Sequence, residues 1–205
     1  MDGYWRYEKF IRKSEALLAS VPGVTGALYM LRVNTFKAIA DNTLLDDVQI
    51  PMVTAGQGYR VGFDDRAIAW DEPSTSLIKE RARKIRTLGG NYQLLVRFPQ
   101  WILPFGHPIS WQFFSHKIAR LLVPFVLLIS IALAIVLIDR YPIMATGYLL
   151  VMLSSLLLIP LAYIFPAVRK FKLLKLVESF ILLNWFCLLA FFNYFLSRQA
   201  GAWKK

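Results

Sequence analysis

Cysteine is almost missing: the 205 residues hold one, Cys187. An intramolecular disulfide is therefore excluded, and a thiolate zinc site has no ligand set. Inside an apolar run, Cys187 reads as a small core residue. Histidine is nearly as scarce, and His107 and His116 have no companions at metal-ligand spacing. Acidic residues number 13 against 24 lysines and arginines, a formal charge of +11. Such a balance fits an anionic lipid surface, a phosphorylated ligand or nucleic acid, and net charge does not choose among them. Nucleic acid ranks last, because the basic residues are not interleaved with aromatics on a recognisable binding module. The first twenty residues also lack an uninterrupted apolar core. No secretory signal is read there, and the N-terminal part is expected to stay in the cytosol.

Apolar residues are what the chain has in excess. At 57% they are too many for a purely soluble domain, and they crowd after Arg120. Three runs meet the spanning criterion, giving expected transmembrane helices at 121–138, 143–165 and 176–196 within a membrane region 120–198. Arg169, Lys170, Lys172 and Lys175 lie between the second and third runs. The positive-inside rule puts that loop and the N-terminal part in the cytosol and sends the C-terminus out, the arrangement of a multi-pass protein of the inner cell membrane. Before the runs, residues 98–119 mix Trp101, Phe105, Trp111, Phe113 and Phe114 with Pro99, Pro104 and Pro108. Too broken to span, this aromatic segment is expected to lie at the membrane interface.

Residues 1–97 read as mixed α/β. Helical spacing of apolar residues predicts an amphipathic helix over Tyr4–Ala19, with Glu8 and Arg12 four apart. Gly26–Leu31 reads as a short buried strand, Asn34–Ala40 as a brief helix, and Tyr59–Phe63 and Ala67–Trp70 as two more strands. Thr43 is placed as the cap of a helix that carries Asp46 and Asp47 in its first turn and is stopped by Gly56 or Gly58. Pro73–Ser76 supply caps for a helix from Leu77 to about Val96. Its apolar stripe is Ile78, Ala82, Ile85, Gly89, Tyr92 and Val96; its basic stripe is Lys79, Arg83, Arg86 and Gly90, open to a ligand at the glycine.

Two adjacent carboxylates followed by an arginine-rich helix are what a site needs to take a proton from a hydroxyl and steady a departing phosphate. On their own these are weak signals. Acids in a first helical turn are common for dipole reasons, and Arg83 and Arg86 equally suit a solvated face or a grip on anionic lipid.

The order of motifs adds to this. Val24-Thr25-Gly26-Ala27, Leu45-Asp46-Asp47, Gly58-Tyr59-Arg60-Val61, Glu72-Pro73 and Arg83-Lys84-Ile85-Arg86-Thr87 resemble the C-terminal half of membrane-attached family 2 glycosyltransferases, the branch of cellulose, chitin and hyaluronan synthases. The resemblance covers Tyr4 to about Arg120. It implies the C-terminal half of a GT-A type domain and transfer of a sugar, with inversion, from a nucleotide-sugar donor to a saccharide or lipid-linked acceptor. By it, Asp47 is the catalytic base with Asp46 beside it, Arg86 contacts the donor diphosphate, and Thr25 and Gly26 line the acceptor site. Arg83 stands where the family has glutamine and Thr87 where it has the tryptophan under the acceptor sugar, a departure that counts against processive synthesis. The family also uses an upstream Asp-x-Asp to hold the donor through Mg²⁺ or Mn²⁺. No Asp-x-Asp occurs here. The expectation is a C-terminal portion, inactive by itself, with a separate N-terminal half as partner; the alternative is a non-catalytic membrane module that binds anionic lipid or assembles with a catalytic chain.

Overall fold

The computed structural model describes residues 2–70, 76–164 and 172–196. Two compact units are present: one holds the residues up to Arg120 together with those from Ala190, the other Leu121–Leu189. The first unit contains helices α1 (Asp2–Leu18), α2 (Asp46–Gly56), α3 (Leu77–Arg97) and α4 (Ser110–Phe113), with single 3-10 turns at Val33–Thr35 and Pro99–Ile102 and a π-helical turn at Phe114–Ile118. Three apolar helices follow: α5 (Ala119–Val136), α6 (Pro142–Ile164) and α7 (Lys172–Leu196).

Among the described residues there is no strand, which overturns the α/β, GT-A expectation. The three expected strands are extended or turn-like coil. A strand needs a neighbouring backbone for its N–H and C=O groups along its length, whereas here the Val61 carbonyl accepts the Val21 N–H at 3.1 Å, the Tyr59 N–H turns back to the Thr54 carbonyl at 3.3 Å, and the Val61 N–H goes to the Ser20 hydroxyl at 2.9 Å, so no ladder forms. Their apolar side chains are left outside: Met30 is 97% and Trp70 94% exposed. The brief helix expected at Asn34–Ala40 is likewise reduced to the single turn Val33–Thr35.

α1 keeps close to its expected limits. It carries the Arg12–Glu8 pair at 2.9 Å, and it stops ahead of Pro22, which disfavours helical backbone at the residue before it. Its last carbonyls, which no helical N–H can reach, are taken by one side chain from far along the chain. Arg60 donates from Nε to the Ala19 carbonyl at 2.8 Å and from Nη2 to those of Ala16 and Leu17.

α2 begins at Asp46, but Leu45 and not Thr43 occupies the capping position, without a side-chain cap bond. Thr43 is buried and turns its hydroxyl to Gln49 Oε1. The helix ends as expected at its glycines. Gly58 has φ +86°, a conformation with little penalty only for glycine.

α3 is capped by Ser76, whose Oγ accepts the Lys79 N–H; Glu72-Pro73 lies outside the described residues. Its character changes along its length. From Lys79 to Arg86 it is largely exposed, whereas Leu88 to Leu94 are buried all round. The expected apolar stripe therefore fails at both ends, with Ile78 82% and Val96 52% exposed. Gly90 also has an occupant other than a ligand: a Cβ there would come within 3.1 Å of Leu44 Cβ and closer still to Leu45. On another side Tyr92 meets Phe191 edge to face at 5.6 Å.

The aromatic segment is divided. Trp101 stacks on Phe98 at 4.1 Å and meets Phe113 edge-on at 5.7 Å, inside the unit, while Phe105 and Trp111 are exposed. Buried His107 ties this corner to α2: its Nε2 bonds the Met52 carbonyl at 2.9 Å and its Nδ1 accepts the Ile109 N–H. Burial pushes its pKa down, which keeps the ring neutral and able to make both bonds.

Among the described residues two helices, not the expected three, are long and apolar enough to cross a membrane: Ser110–Val136, which runs through α4, the π-helical turn and α5, and Leu173–Leu196 in α7. The third apolar helix, Pro142–Leu158 within α6, is shorter. In the second unit the Ser130 and Tyr148 hydroxyls join α5 to α6 at 2.6 Å. Cys187 is buried in α7, and Asn184 donates one turn back to the Phe180 carbonyl at 2.8 Å.

Candidate functional site

The site is assembled from a proline. Pro51 sits inside α2 and has no N–H, so the carbonyl four residues earlier, that of Asp47, lacks its helical donor. The Val24 N–H takes that carbonyl at 2.8 Å. One bond thus fastens the Val24–Gly26 loop beside the head of α2. Behind the same turn, Gln93 of α3 accepts the Leu44 N–H and donates to the Asn42 carbonyl, both at 2.9 Å, and Arg97 bonds Asn42 and Thr43. The chain entering α2 is pinned from two sides.

Asp46 points to solvent and Asp47 is half-buried. Burial raises the Asp47 pKa above the usual carboxylate range; Lys117 works against this, the neighbouring Asp46 adds to it and Arg12 opposes. A carboxylate held this way binds a proton more tightly than one in water, the property required of a base.

Around Asp47 lies a set of charges from two separate elements, α1 and the π-helical turn. On α1, Arg12 pairs with Glu8 and donates from Nη1 to Thr25 Oγ1 at 3.2 Å. His116, in the π-helical turn, lies between two carboxylates of α1, with Nδ1 at 2.9 Å from Glu15 Oε1 and Nε2 at 3.5 Å from Glu8 Oε1. These partners pull the Glu8 pKa down to about 2, the His116 bond contributing most. The other Glu15 oxygen is buried with no hydrogen-bond partner. Lys117 follows His116 and reaches the loop, its Nζ lying 3.4 Å from where a Cβ on Gly23 would stand. The π-helical turn, a distortion often found at functional sites, sets the directions of these two neighbouring side chains.

The structure thus joins Thr25 and Asp47, two of the residues the sequence singled out. Gly26 is beside them, exposed and with open space about it. Arg83 and Arg86 are elsewhere in character, on the exposed half of α3; Thr87 is half-buried, its carbonyl accepting from Asn91. Arg86 precedes Gly90 by four residues and so shares the face that meets Leu45, but the cations whose charge weighs on Asp47 are Lys117 and Arg12.

Sequence reasoning missed Glu15, His116 and Lys117 as part of this cluster. The available signal was the basic run His116, Lys117, Arg120 just ahead of the first long apolar run, which reads more simply as cations at a membrane surface.

No three His, Cys, Asp or Glu side chains among the described residues converge on a point that could hold a metal ion. Asp64 and Asp65 are paired with Arg66 and Lys13 at the surface. The described side chains therefore do not fit the Mg²⁺ or Mn²⁺ that the resemblance implies.

No protein-family model matches the chain, and comparison with curated proteins and with solved structures found no match.

Proposed function

We propose that the chain carries the acceptor side of a membrane sugar transferase, of the kind implied by its resemblance to family 2 glycosyltransferases. In this reading Asp47 takes the proton from an acceptor hydroxyl presented by a saccharide or a lipid-linked sugar, and Thr25 and Gly26 border the acceptor. The nucleotide-sugar is held by a donor-binding half, upstream or on a separate chain, and Arg86 meets its diphosphate when the halves join. The site faces the cytoplasm of a multi-pass protein of the inner membrane. The observation that carries the proposal is the Val24–Asp47 bond, because it sets the two sequence-distant motifs side by side.

Such a base contributes about 10²–10⁴ in rate. Native membranes carrying wild-type or Asp47→Asn chain, given radiolabelled nucleotide-sugars, test it directly. The expected result is loss of label transfer to lipid or saccharide by about two orders of magnitude or more, at equal protein level. Transfer at the wild-type rate in Asp47→Asn overturns the assignment.

A second reading is favoured by the exposure of Lys79, Arg81, Arg83, Lys84 and Arg86 on one half-helix. As a non-catalytic module, the chain would grip anionic lipid through these cations, each contributing about 1 kcal/mol near such a surface. Salt-sensitive binding to anionic liposomes that disappears when the five are neutralised, and is indifferent to Asp47→Asn, selects it.

A further inference from the structure

Lys117 is a group of the Asp47 cluster that no partner in the cluster occupies. Its side chain is closely surrounded by protein yet keeps part of its surface open to solvent. Glu8, Arg12, Glu15 and His116 all have partners within the cluster. Lys117 makes no hydrogen bond or ion pair with any described residue. An ammonium group has three donors, and those that no protein acceptor takes are open to water or to a ligand.

Its neighbours define what could satisfy it. Arg12 and Arg120 repel the Lys117 charge, while Glu8 and Asp47 attract it without approaching to ion-pair distance. Lys117 thus stands in the field of two further cations, and an anion beside its ammonium would be stabilised by all three. Gly23 forms the wall. Val48 Cγ2 and Lys117 Nζ lie 3.3 and 3.4 Å from where its Cβ would be, so any larger residue would press on the ammonium. Position adds the last element. Lys117 stands one turn ahead of Leu121, in the more polar first part of the Ser110–Val136 helix, which would bring it to the level of lipid headgroups if the apolar part crosses a membrane.

We infer that Lys117, with Arg12 and Arg120 behind it and Gly23 as its wall, forms a subsite for a phosphate group, presented at the membrane surface by a phospholipid or a phosphate-bearing lipid. The subsite deepens the proposed function by giving the acceptor an anionic group next to Asp47, yet it stands on binding alone and does not require Asp47 to act as a base.

The test measures binding, so that it can fail separately from the transferase reading. The full chain in neutral detergent is treated with an amine-acetylating reagent, and modification of Lys117 is followed by peptide mass spectrometry. Three additions are compared: short-chain phosphatidic acid, the matching diacylglycerol without phosphate, and inorganic pyrophosphate. Phosphatidic acid is expected to slow Lys117 acetylation about tenfold while leaving Lys79 unaffected, with diacylglycerol inert. Pyrophosphate protecting as well as the lipid still supports a phosphate subsite and names a soluble phosphate as its source. Absence of protection by either phosphate compound overturns the inference, as does equal protection by diacylglycerol. Lys117→Arg is expected to keep phosphatidic acid binding and Lys117→Gln to weaken it about tenfold; the wild-type labelling decides the matter should either variant fold poorly.

Discussion

The Val24 N–H binds the carbonyl of Asp47 at 2.8 Å, and it can do so because Pro51 leaves that carbonyl without a helical donor. A helix-breaking residue inside α2 thereby becomes the means by which a loop 22 residues upstream of Asp46 is docked to the helix head. Pro51→Ala gives α2 an N–H aimed at the same oxygen. The expected outcome is faster hydrogen exchange at the Val24 amide, by about tenfold for a loss near 1.4 kcal/mol, with no fall in thermal midpoint, since alanine is the better helix former.

The adjacent glycines of α3 should respond oppositely. At Gly90 a Cβ meets Leu45 Cγ inside contact distance, while at Gly89 nothing lies within 4 Å. Gly90→Ala is expected to destabilise by about 1–3 kcal/mol through overpacking, and Gly89→Ala to stabilise by roughly 0.5–1 kcal/mol through helix propensity. Thermal unfolding in detergent separates the two, and equal shifts of one sign would contradict the packing described here.

Acid should act first through Glu8. Its pKa is drawn down to about 2 by the His116 bond, with Arg12 assisting against burial. A depressed carboxyl stabilises the fold above its ordinary pKa of 4.5, and that contribution is lost as pH falls towards 2. Unfolding midpoints measured from pH 6 to pH 2 should therefore drop, and Glu8→Gln should be less stable at pH 6 and flatter over the interval.

Asp47 has the opposite sign. Burial raises its pKa, so the folded state holds its proton more tightly than the unfolded one and stability declines as pH rises through this range. Asp47→Asn, which mimics the protonated acid, is expected to raise the thermal midpoint at pH 7, and on the proposed transferase reading the same variant loses sugar transfer.

The helices were legible where their signals are local. Ser76 before Leu77 and Gly58 after Gly56 mark ends by backbone geometry within one turn, and the Asp46-Asp47 pair marks a beginning. The strands were misread because Met30, Ile68 and Trp70 have the residue types of buried strands, whereas a strand exists only if another backbone pairs with it. The stripe on α3 was misread for a related reason: periodicity shows that one face is apolar, but Leu88–Leu94 are covered by Leu44, Leu45 and Phe191, which no spacing within α3 reveals. In the site, Asp47 and Thr25 could be found from motif order. Lys117 could not, because its direction depends on a π-helical turn that has no counterpart in the residue pattern.

Arg60 gives the cluster a remote dependence. Its guanidinium closes the end of α1, and α1 supplies Glu8, Arg12 and Glu15. If that closure were lost, the last turn would fray back towards Glu15, and His116 would lose the partner on its Nδ1 side. The charge balance around Asp47 is thus governed in part by a cation that lies outside it, on the exposed coil after α2, so a change of shape in that coil would be felt at the site as a change of electrostatics.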